Sequence, residues 1–411
     1  MARPGKPVGA GFIAAFTFAQ AGAYVGFVPL FQILLPLKAA AIDPVHKTIL
    51  LSHVMFYGAL TAGAANLFAG AISDRTGSRF GRRRPWMFAG AVGTLLAYAM
   101  IFRAHDAGSL LGAVLIFQLA FNFLFAALLA VMADRVPDRQ KGLVSGLMAL
   151  GLPLGTVGGA LLVGGLLRGD AARFAAVAIV VTLSIIPFTL RMTDQPVATA
   201  PAFRPWAFLR SFWVDPRAHP DFALAWIGRF LVIIAFSVVQ SYMLYYLQDV
   251  VDYPRVFPGR PAEEGLAILT AIYAAGNIAF AVIGGLVSDR LGRRKLFVVV
   301  GAALIACAIT VFALTPSWPA VMTAYALYGC GAGCYYAVDM ALITQVLPSA
   351  RDVGKDLGIV NLSNTLPQSV APLLGVWFLS GGHADYRSLF LVAAGLSVLG
   401  GLMVTPIRRV R

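Results

Sequence analysis

The sequence predicts an all-α membrane protein whose twelve transmembrane helices form two pseudo-symmetric six-helix bundles. Three observations lead to this fold class. Of the 411 residues, 59% are hydrophobic and 12% are charged, with a mean hydropathy of +0.80. Soluble domains carry about a quarter charged residues, so this composition belongs in a bilayer. Long apolar segments follow one another along the chain, and one charged motif occurs in both halves, at 69–84 and at 284–295.

The apolar segments are long enough to cross a membrane as helices. A helix needs about 20 mostly apolar residues to span the hydrocarbon, whereas barrel strands alternate over about ten positions. The first segment follows a basic start, as in a signal peptide, but it continues to Leu37, which is too long for a cleaved leader. The predicted spans are 9–36, 48–72, 86–104, 109–132, 142–167, 173–190, 221–247, 264–287, 296–314, 318–346, 357–380 and 387–405.

The distribution of Lys and Arg predicts the orientation of the chain. Most of these cations lie at the N-terminus and on every second connection, including both copies of the charged motif. Positively charged connections stay in the cytoplasm, so both termini and both motifs are predicted to be cytoplasmic. The abundance of Ala, Gly and Arg suggests a bacterial chain, and hence the inner (plasma) membrane with its lipid bilayer.

The chain divides at its middle into two related halves. Segment 191–219, the longest break in hydrophobicity, is rich in Pro and Arg and is predicted to be a cytoplasmic linker between an N-terminal bundle, 1–190, and a C-terminal bundle, 220–411. VPDRQKG at 136 matches LPSARDVGKDLG at 347 at nearly the offset of the charged motif. The sequence therefore predicts a duplicated six-span unit, a repeat that lets two halves rock during transport.

Several function classes do not fit the pattern. The five His residues are scattered, and the three Cys residues lie inside apolar runs, so we expect no metal, no cofactor and no enzyme activity. The net charge of +14 falls in short bursts between apolar runs rather than on one face, which argues against nucleic acid. Neither a channel filter nor an appended sensor domain is evident. We expect a monomer that binds a small molecule.

The acid in each charged motif needs an explanation. The arginines alone are equally well explained as positive-inside anchors. Asp74 and Asp289, however, sit at helix C-termini, where the helix dipole disfavours a carboxylate. We hypothesise that each acid docks on the start of span five or eleven of the opposite half and closes the cytoplasmic side. The predicted gating residues are Asp74, Arg75, Arg82, Arg83, Asp289, Arg290, Arg293 and Arg294.

The motif GGLVSDRLGRR at 284–294 resembles the loop signature of the major facilitator superfamily, which follows spans two and eight. This resemblance implies the twelve-helix fold and alternating access, but no particular cargo. RFGRRRP and RLGRR, taken together, resemble sucrose:proton symporters, and segments 222–251 and 339–372 resemble glycoside-pentoside-hexuronide:cation symporters. They imply proton-coupled symport of a sugar or glycoside. The alternative is proton-driven export of an amphipathic drug or metabolite, because aromatic spans one and seven would also suit a greasy ligand.

The resemblance implies that spans one, four, seven and ten line the cavity. Their polar and aromatic side chains suit a polyhydroxylated ligand, because amides pair with hydroxyls and rings cover C–H faces. The alternative is that these polar groups hold helices together. The predicted substrate-binding residues are Gln20, Tyr24, Gln118, Asn122, Arg229, Gln240, Tyr328, Tyr335 and Asp339.

Arg229 and Asp339 are the charges that lie well inside predicted spans, at equal depth from the cytoplasmic face. We therefore expect them to pair. Asp339 is either the proton carrier or part of a static strut, and we prefer the strut because a nearby guanidinium makes a carboxylate harder to protonate.

The sugar resemblance has a gap at the coupling residue. Gln118 occupies the position of the proton-carrying aspartate in the sucrose symporters, and span two lacks sodium-binding aspartates. Coupling would then need Asp339, an acid nearer the span ends such as Asp134 or Asp249, or no ion at all. In span eleven, we expect Pro367 to bend the helix.

Overall fold

The computed structural model describes residues 7–194, 214–347, 353–380 and 384–407. Within these ranges the chain is helical and contains no strand, which confirms the predicted all-α class. We number the helices by predicted span: α1 Ala10–Ile42, α2 Lys47–Asp74, α3 Arg84–Arg103, α4 Ala107–Arg135, α5 Arg139–Leu166, α6 Asp170–Arg191, α7 Pro220–Asp249, α8 Ala262–Leu291, α9 Arg294–Leu314, α10 Trp318–Gln345, α11a Val353–Thr365, α11b Pro367–Leu379 and α12 Tyr386–Leu402.

Helices α1 to α10 are each long and apolar enough to cross a membrane. The eleventh span is divided at Leu366 into two 13-residue helices, and the twelfth is a 17-residue apolar helix. Helix α1 runs from Ala10 to Ile42 and includes a π-helical segment, Leu30–Leu34, directly after Pro29. A proline inside a helix donates no N–H, and one extra residue per turn is a common local adjustment.

The helix ends follow local chemistry. The Asp106 carboxylate accepts a hydrogen bond from the N–H of Ser109, and the Ser109 hydroxyl contacts the Asp106 N–H in return, so the two residues form a capping box at the start of α4. Asp385 accepts from the N–H of Ser388 at the start of α12. Gly292 ends α8 with a φ of +61°, a conformation that glycine adopts at little cost. These caps stabilise the helix ends that the polar connections leave exposed.

The chain forms two compact units: Met1–Lys47 with Tyr57–Phe203, and Thr48–Phe56 with Arg204–Arg411. In the first unit α1 packs against α5 and α6, and α3 packs against α4 and α6. In the second unit α7 packs against α11b and α12, and α9 packs against α10 and α12. The same helix pairs thus recur six spans later, as expected for a duplicated six-span unit. The predicted linker, 191–219, is described only at 191–194 and 214–219.

The first turns of α2 belong to the second unit. The hydroxyls of Ser52 and Tyr242 share a buried 2.6 Å hydrogen bond, and the Thr48 hydroxyl donates to the carbonyl of Leu379 at 3.3 Å. This grouping of 48–56 with the later helices differs from a simple division of the chain at residue 190.

Candidate functional site

The first copy of the charged motif forms a cluster around Arg83. The guanidinium of Arg83 is paired with the carboxylate of Asp74, donates to Asp134 at 2.9 Å and donates to the Ser73 hydroxyl at 2.5 Å. Its side chain is only 6% exposed. Arg82 also pairs with Asp134. A buried guanidinium is expensive unless its donors are satisfied, so the acids of α2 and α4 hold this loop against the unit. We call these residues, 73, 74, 82, 83 and 134, the Arg83 cluster.

A further acid fixes the start of α3. The Asp194 carboxylate accepts hydrogen bonds from the N–H groups of Arg83 at 2.6 Å and Arg84 at 3.0 Å. These N–H groups have no partner inside their own helix, and the positive end of the helix dipole favours a carboxylate. Gly81, with a φ of +96°, lies against the Asp194 side chain, where any Cβ would overlap the carboxylate. The chain after α6 is thereby joined to the charged loop.

The second copy of the motif makes equivalent contacts in its own unit. Arg84 donates to the carbonyls of Thr189 and Leu190 at the end of α6. Lys295, its counterpart, donates to the carbonyls of Thr405 and Ile407 after α12. Arg294, the counterpart of Arg83, contacts the carbonyl of Ala341 on α10 at 3.4 Å. The Asp289 side chain lies outside the described part of the chain.

The predicted gate is therefore described in part. The structure brings Asp74, Arg82 and Arg83 together, and it leaves Arg290 and Arg293 exposed on the second loop. The proposed docking site at the start of span eleven falls on 348–352 and on side chains up to 358, which are outside the described residues. Docking of either acid on the opposite half stays a prediction. Sequence reasoning missed Asp194 entirely, because no spacing rule links an acid after span six to span three.

In the first unit, Gln20 and Tyr24 of α1 face α5. Gln20 is buried, and Cβ atoms added to Gly151 and Gly155 would contact or overlap Tyr24. The Tyr24 ring meets Phe125 of α4 edge to face, at 5.3 Å between centroids. These two predicted residues thus lie where three helices meet.

Gln118 and Asn122 form a polar network between α4 and α2. The Asn122 amide donates to the carbonyl of Gln118 at 2.8 Å and to its side-chain oxygen at 3.2 Å. The Asn66 amide of α2 donates to the Asn122 side-chain oxygen at 3.4 Å. Gln118 itself is buried. Asn66 was not identified from the sequence, although a polar side chain inside an apolar span was an available signal.

In the second unit, Arg229 of α7 and Asp339 of α10 form the expected ion pair, with side chains 5% and 7% exposed. Arg229 also donates to the side-chain oxygen of Asn364 at 2.8 Å. The pair is therefore connected to the end of α11a. The Gln368 side chain donates to the carbonyl of Asn364 at 3.2 Å across the break that precedes Pro367.

Aromatic rings cluster on the same two helices as this pair. Tyr328 and Tyr335 of α10 are almost completely buried. The Phe236 ring of α7 lies 5.0 Å from Tyr328 and 5.3 Å from Tyr336, measured between centroids. Among the described residues, the Tyr328 hydroxyl is buried without a hydrogen-bond partner. A buried hydroxyl without a partner usually lowers stability, unless a water molecule or a ligand forms the missing hydrogen bond.

Gln240 differs from its neighbours on α7. In the stretch 228–247, every residue of which the structure describes, it is the one exposed side chain. An amide exposed to hydrocarbon at mid-span is costly, so this position fits an opening that holds water or ligand. Asn361 and Gln368 on the broken span are exposed as well.

Comparisons with solved structures identify the same fold in transporters. A peptide transporter in complex with sulfate superposes with a TM-score of 0.77 at 14% identity, covering 98% of this chain and 96% of that one. A mutant of the nucleoside transporter NupG gives 0.74 at 13% identity, covering 96% and 99%. At these identities the likeness concerns the fold alone.

Among curated proteins, the multidrug resistance protein MdtL of Escherichia coli O81 (strain ED1a) is 31% identical over 175 residues, which is 42% of this chain and 44% of that protein. The alignment thus spans less than half the length of the relatives it matches. The finer resemblance to sucrose and glycoside symporters stays a prediction, since none of these matches distinguishes it.

The family model described as Major Facilitator Superfamily matches residues 10–262 and 259–411. The two matched ranges together cover all twelve spans. This chain therefore belongs to the Major Facilitator Superfamily, and it is a multi-pass membrane transporter rather than an enzyme.

Proposed function

We propose that this transporter carries a neutral polyhydroxylated molecule, a sugar or glycoside, in symport with protons across the bacterial inner membrane. The observation that carries the proposal is the exposed amide of Gln240 within the stretch 228–247, where no other side chain is exposed. An amide offers one acceptor and two donors, which matches the alternating donors and acceptors of sugar hydroxyls.

The charges nearby favour a neutral cargo. Arg229 and Asp339 neutralise each other, and Asn364 takes a further guanidinium donor. A cationic drug would be expected to meet an exposed carboxylate deep in the span, whereas the exposed acid of α7, Asp249, is the last residue of that helix. Farther inside α7 and on the described part of the broken span, the exposed polar groups are the amides of Gln240, Asn361 and Gln368. The rings of Phe236 and Tyr336 can cover the apolar face of a sugar.

The close guanidinium of Arg229 favours a static strut, and the residue to test as the proton carrier is Asp339. It is the acid that lies farthest from the span ends, and its protonation would release Arg229 to Asn364 alone. Reversible exchange of partners by a guanidinium is a two-state element that a proton and a substrate can both bias.

The test is binding and transport by the purified protein, with disaccharides and lipophilic cations compared on one panel. Gln240→Leu is expected to weaken sugar binding at least tenfold, since a site built to pair with hydroxyls loses about 1–3 kcal/mol per unpaired group. Gln248→Leu makes the same change near the end of the same helix and serves as the control. Sugar binding that is unaffected by Gln240→Leu would contradict the proposal.

Export of an amphipathic compound is the second candidate, and the match to MdtL favours it. The aromatic cluster around Phe27, Phe31, Phe117 and Phe121 would suit such a ligand. Saturable binding of lipophilic cations with no binding of sugars would select this function instead. Measuring the same binding at several pH values shows whether a proton is linked in either case.

A further part of the proposal is that the charged loops control access from the cytoplasmic side. The Arg83 cluster supports it, because several hydrogen bonds of a buried guanidinium must be exchanged if the loop changes its contacts. Asp289 would act in the same way in the second half. The gating experiments are argued in the Discussion.

A further inference from the structure

A crevice separates α1 from α6 near the start of α1. It has a volume of about 420 Å³ and is lined by Gly11, Phe12 and Ala15 on α1 and by Leu183, Pro187 and Arg191 on α6, among others. Cavities of this size accommodate small molecules or segments of an apolar chain. The transport mechanism described above uses none of these residues.

The crevice exists because the two helices diverge. At Gly22 they are in contact, since an added Cβ would overlap the Ser184 side chain. At Gly26 an added Cβ would lie 2.7 Å from a methyl group of Val181. Near the start of α1 the situation is reversed, because a Cβ on Gly11 would meet nothing within 4 Å. The helices therefore form a wedge that is closed at Gly22 and open towards the start of α1.

The walls of the wedge are apolar and continue into the outer surface of the unit. Phe12 and Phe16 pack on Phe188 at 5.8 and 5.5 Å between centroids. Phe18 is 56% exposed and Leu183 is 62% exposed. On a membrane-spanning helix, large apolar side chains that are exposed in this way face lipid. The crevice is therefore open to the bilayer, and an acyl chain is the occupant that matches its walls.

One cation lies at the end of this apolar surface. Arg191 is in the last turn of α6, it is exposed, and among the described residues it has no hydrogen-bond or ion-pair partner. The distribution of Lys and Arg places this end of α6 on the cytoplasmic side, where anionic lipids attract cations. A guanidinium binds phosphate with two parallel hydrogen bonds. An apolar crevice that ends at a guanidinium is thus complementary to a lipid with an anionic headgroup.

We propose that the crevice binds one anionic phospholipid, with an acyl chain along Phe12, Ala15 and Leu183 and the headgroup phosphate on Arg191. Bound lipid would fill the wedge and hold α1 and α6 at a fixed separation. Arg191 is three residues from Asp194, whose carboxylate accepts hydrogen bonds from the N–H groups of Arg83 and Arg84, so the lipid site is close in sequence to the residue that caps α3.

The test is lipid titration of the purified full-length protein, read by native mass spectrometry. Phosphatidylglycerol and phosphatidylcholine with identical acyl chains are compared. We expect one phosphatidylglycerol molecule to bind the wild type more tightly than any further lipid molecules that bind. Arg191→Gln should weaken the affinity for this first molecule about fivefold. Arg139→Gln removes another exposed arginine from the same predicted side without touching the crevice, and it should leave this affinity unchanged.

A second variant tests the crevice itself. Ala15→Leu fills part of the wedge at an exposed position, so the fold should be retained, and binding of the single tight lipid should be lost. Equal affinity for the two headgroups, equal loss in Arg191→Gln and Arg139→Gln, or retention of the tight lipid by Ala15→Leu would each overturn the proposal. Displacement of the lipid by inorganic phosphate at millimolar concentration would overturn it too, because the site would then serve a soluble anion.

Discussion

The guanidinium of Arg229 and the carboxylate of Asp339 form an ion pair between α7 and α10, and both side chains are more than nine-tenths buried. Removing one partner of a buried pair leaves a charge without compensation, which costs about 3–5 kcal/mol. Removing both leaves two neutral groups of similar volume. The pair therefore offers a way to separate a structural role from a role in coupling.

We expect Arg229→Gln alone to lower thermal stability strongly, because the Asp339 carboxylate is then buried without a cation. The double variant Arg229→Gln with Asp339→Asn should recover most of that stability. Thermal unfolding of the detergent-purified proteins, followed by a fluorescent thiol dye, measures both. A double variant as unstable as the single one would show that Asn364 or the aromatic rings, rather than the mutual charge compensation, dominate at this position.

The coupling role of Asp339 has its own test. If it carries the proton, Asp339→Asn in proteoliposomes should abolish uphill accumulation of the cargo while exchange of internal for external cargo continues. Exchange needs the conformational change but no net proton movement. Loss of both activities together with loss of folded protein would assign Asp339 to the strut. Sugar-linked alkalinisation of the medium, measured with the same vesicles, gives an independent readout.

The Arg83 cluster predicts the behaviour of the first charged loop. Arg83→Gln removes the donors to Asp74, Asp134 and Ser73, and we expect the loop at 75–84 to exchange its amide hydrogens at least tenfold faster. Arg79→Gln changes an exposed arginine of the same loop and is the matched control. Hydrogen exchange with mass spectrometry checks the prediction. Equal exchange rates in the two variants would show that the cluster does not hold the loop.

The gating hypothesis makes a separate prediction for the second loop. Asp289→Asn should increase labelling of single cysteines introduced on the predicted cytoplasmic side and should change the transport rate, because under the hypothesis the closed state loses a contact. Asp43→Asn, at a half-buried acid of the first connection on the predicted opposite side, is the control. If Asp289→Asn leaves both the labelling and the rate at wild-type values, the acid has no part in gating.

Much of this architecture could be predicted from the sequence, because polar and charged groups are costly to place in a bilayer. Uninterrupted apolar runs and the repeated charged motif were sufficient to predict the twelve spans. In lipid, the backbone N–H and C=O groups of each span must form their hydrogen bonds within the helix. Equal depth and opposite sign were sufficient to pair Arg229 with Asp339. These features depend on residues that are rare in lipid and therefore informative.

The rest depends on three-dimensional proximity that no local pattern encodes. Asp194 lies 111 residues from Arg83, and nothing in the polar segment after α6 identifies it as the cap of α3. The contact of Arg229 with Asn364 joins two spans separated by 135 residues. The bend expected at Pro367 stays a prediction: the helical hydrogen bonds are interrupted there because proline has no N–H, while Leu366 keeps helical φ and ψ of −61° and −39°.

That division predicts a role for Pro367 in transport. Pro367→Ala restores an N–H to the backbone at the break and should join α11a to α11b. We expect slower transport with no loss of stability, since the substitution adds a hydrogen bond but makes the span stiffer. Pro372→Ala alters a second proline inside α11b and serves as the control. The test compares transport rates of the two variants in vesicles at equal protein content. Equal rates would show that the break at Pro367 has no role in transport.

The crossing of α8 and α10 predicts where a single methyl group is not tolerated. At Gly329 an added Cβ would overlap the carbonyl oxygen of Tyr273, which is backbone and cannot move aside as a side chain would. Gly329→Ala is therefore expected to lower the free energy of unfolding by about 1–3 kcal/mol through overpacking. Gly395→Ala on α12 is the control, because a Cβ there meets nothing within 4 Å, and it should be neutral or stabilising by up to about 1 kcal/mol. Thermal unfolding of the two purified variants distinguishes these outcomes. Equal stability would mean that α8 and α10 can separate slightly without cost, and the close approach of these helices would then not contribute to the stability of the second unit.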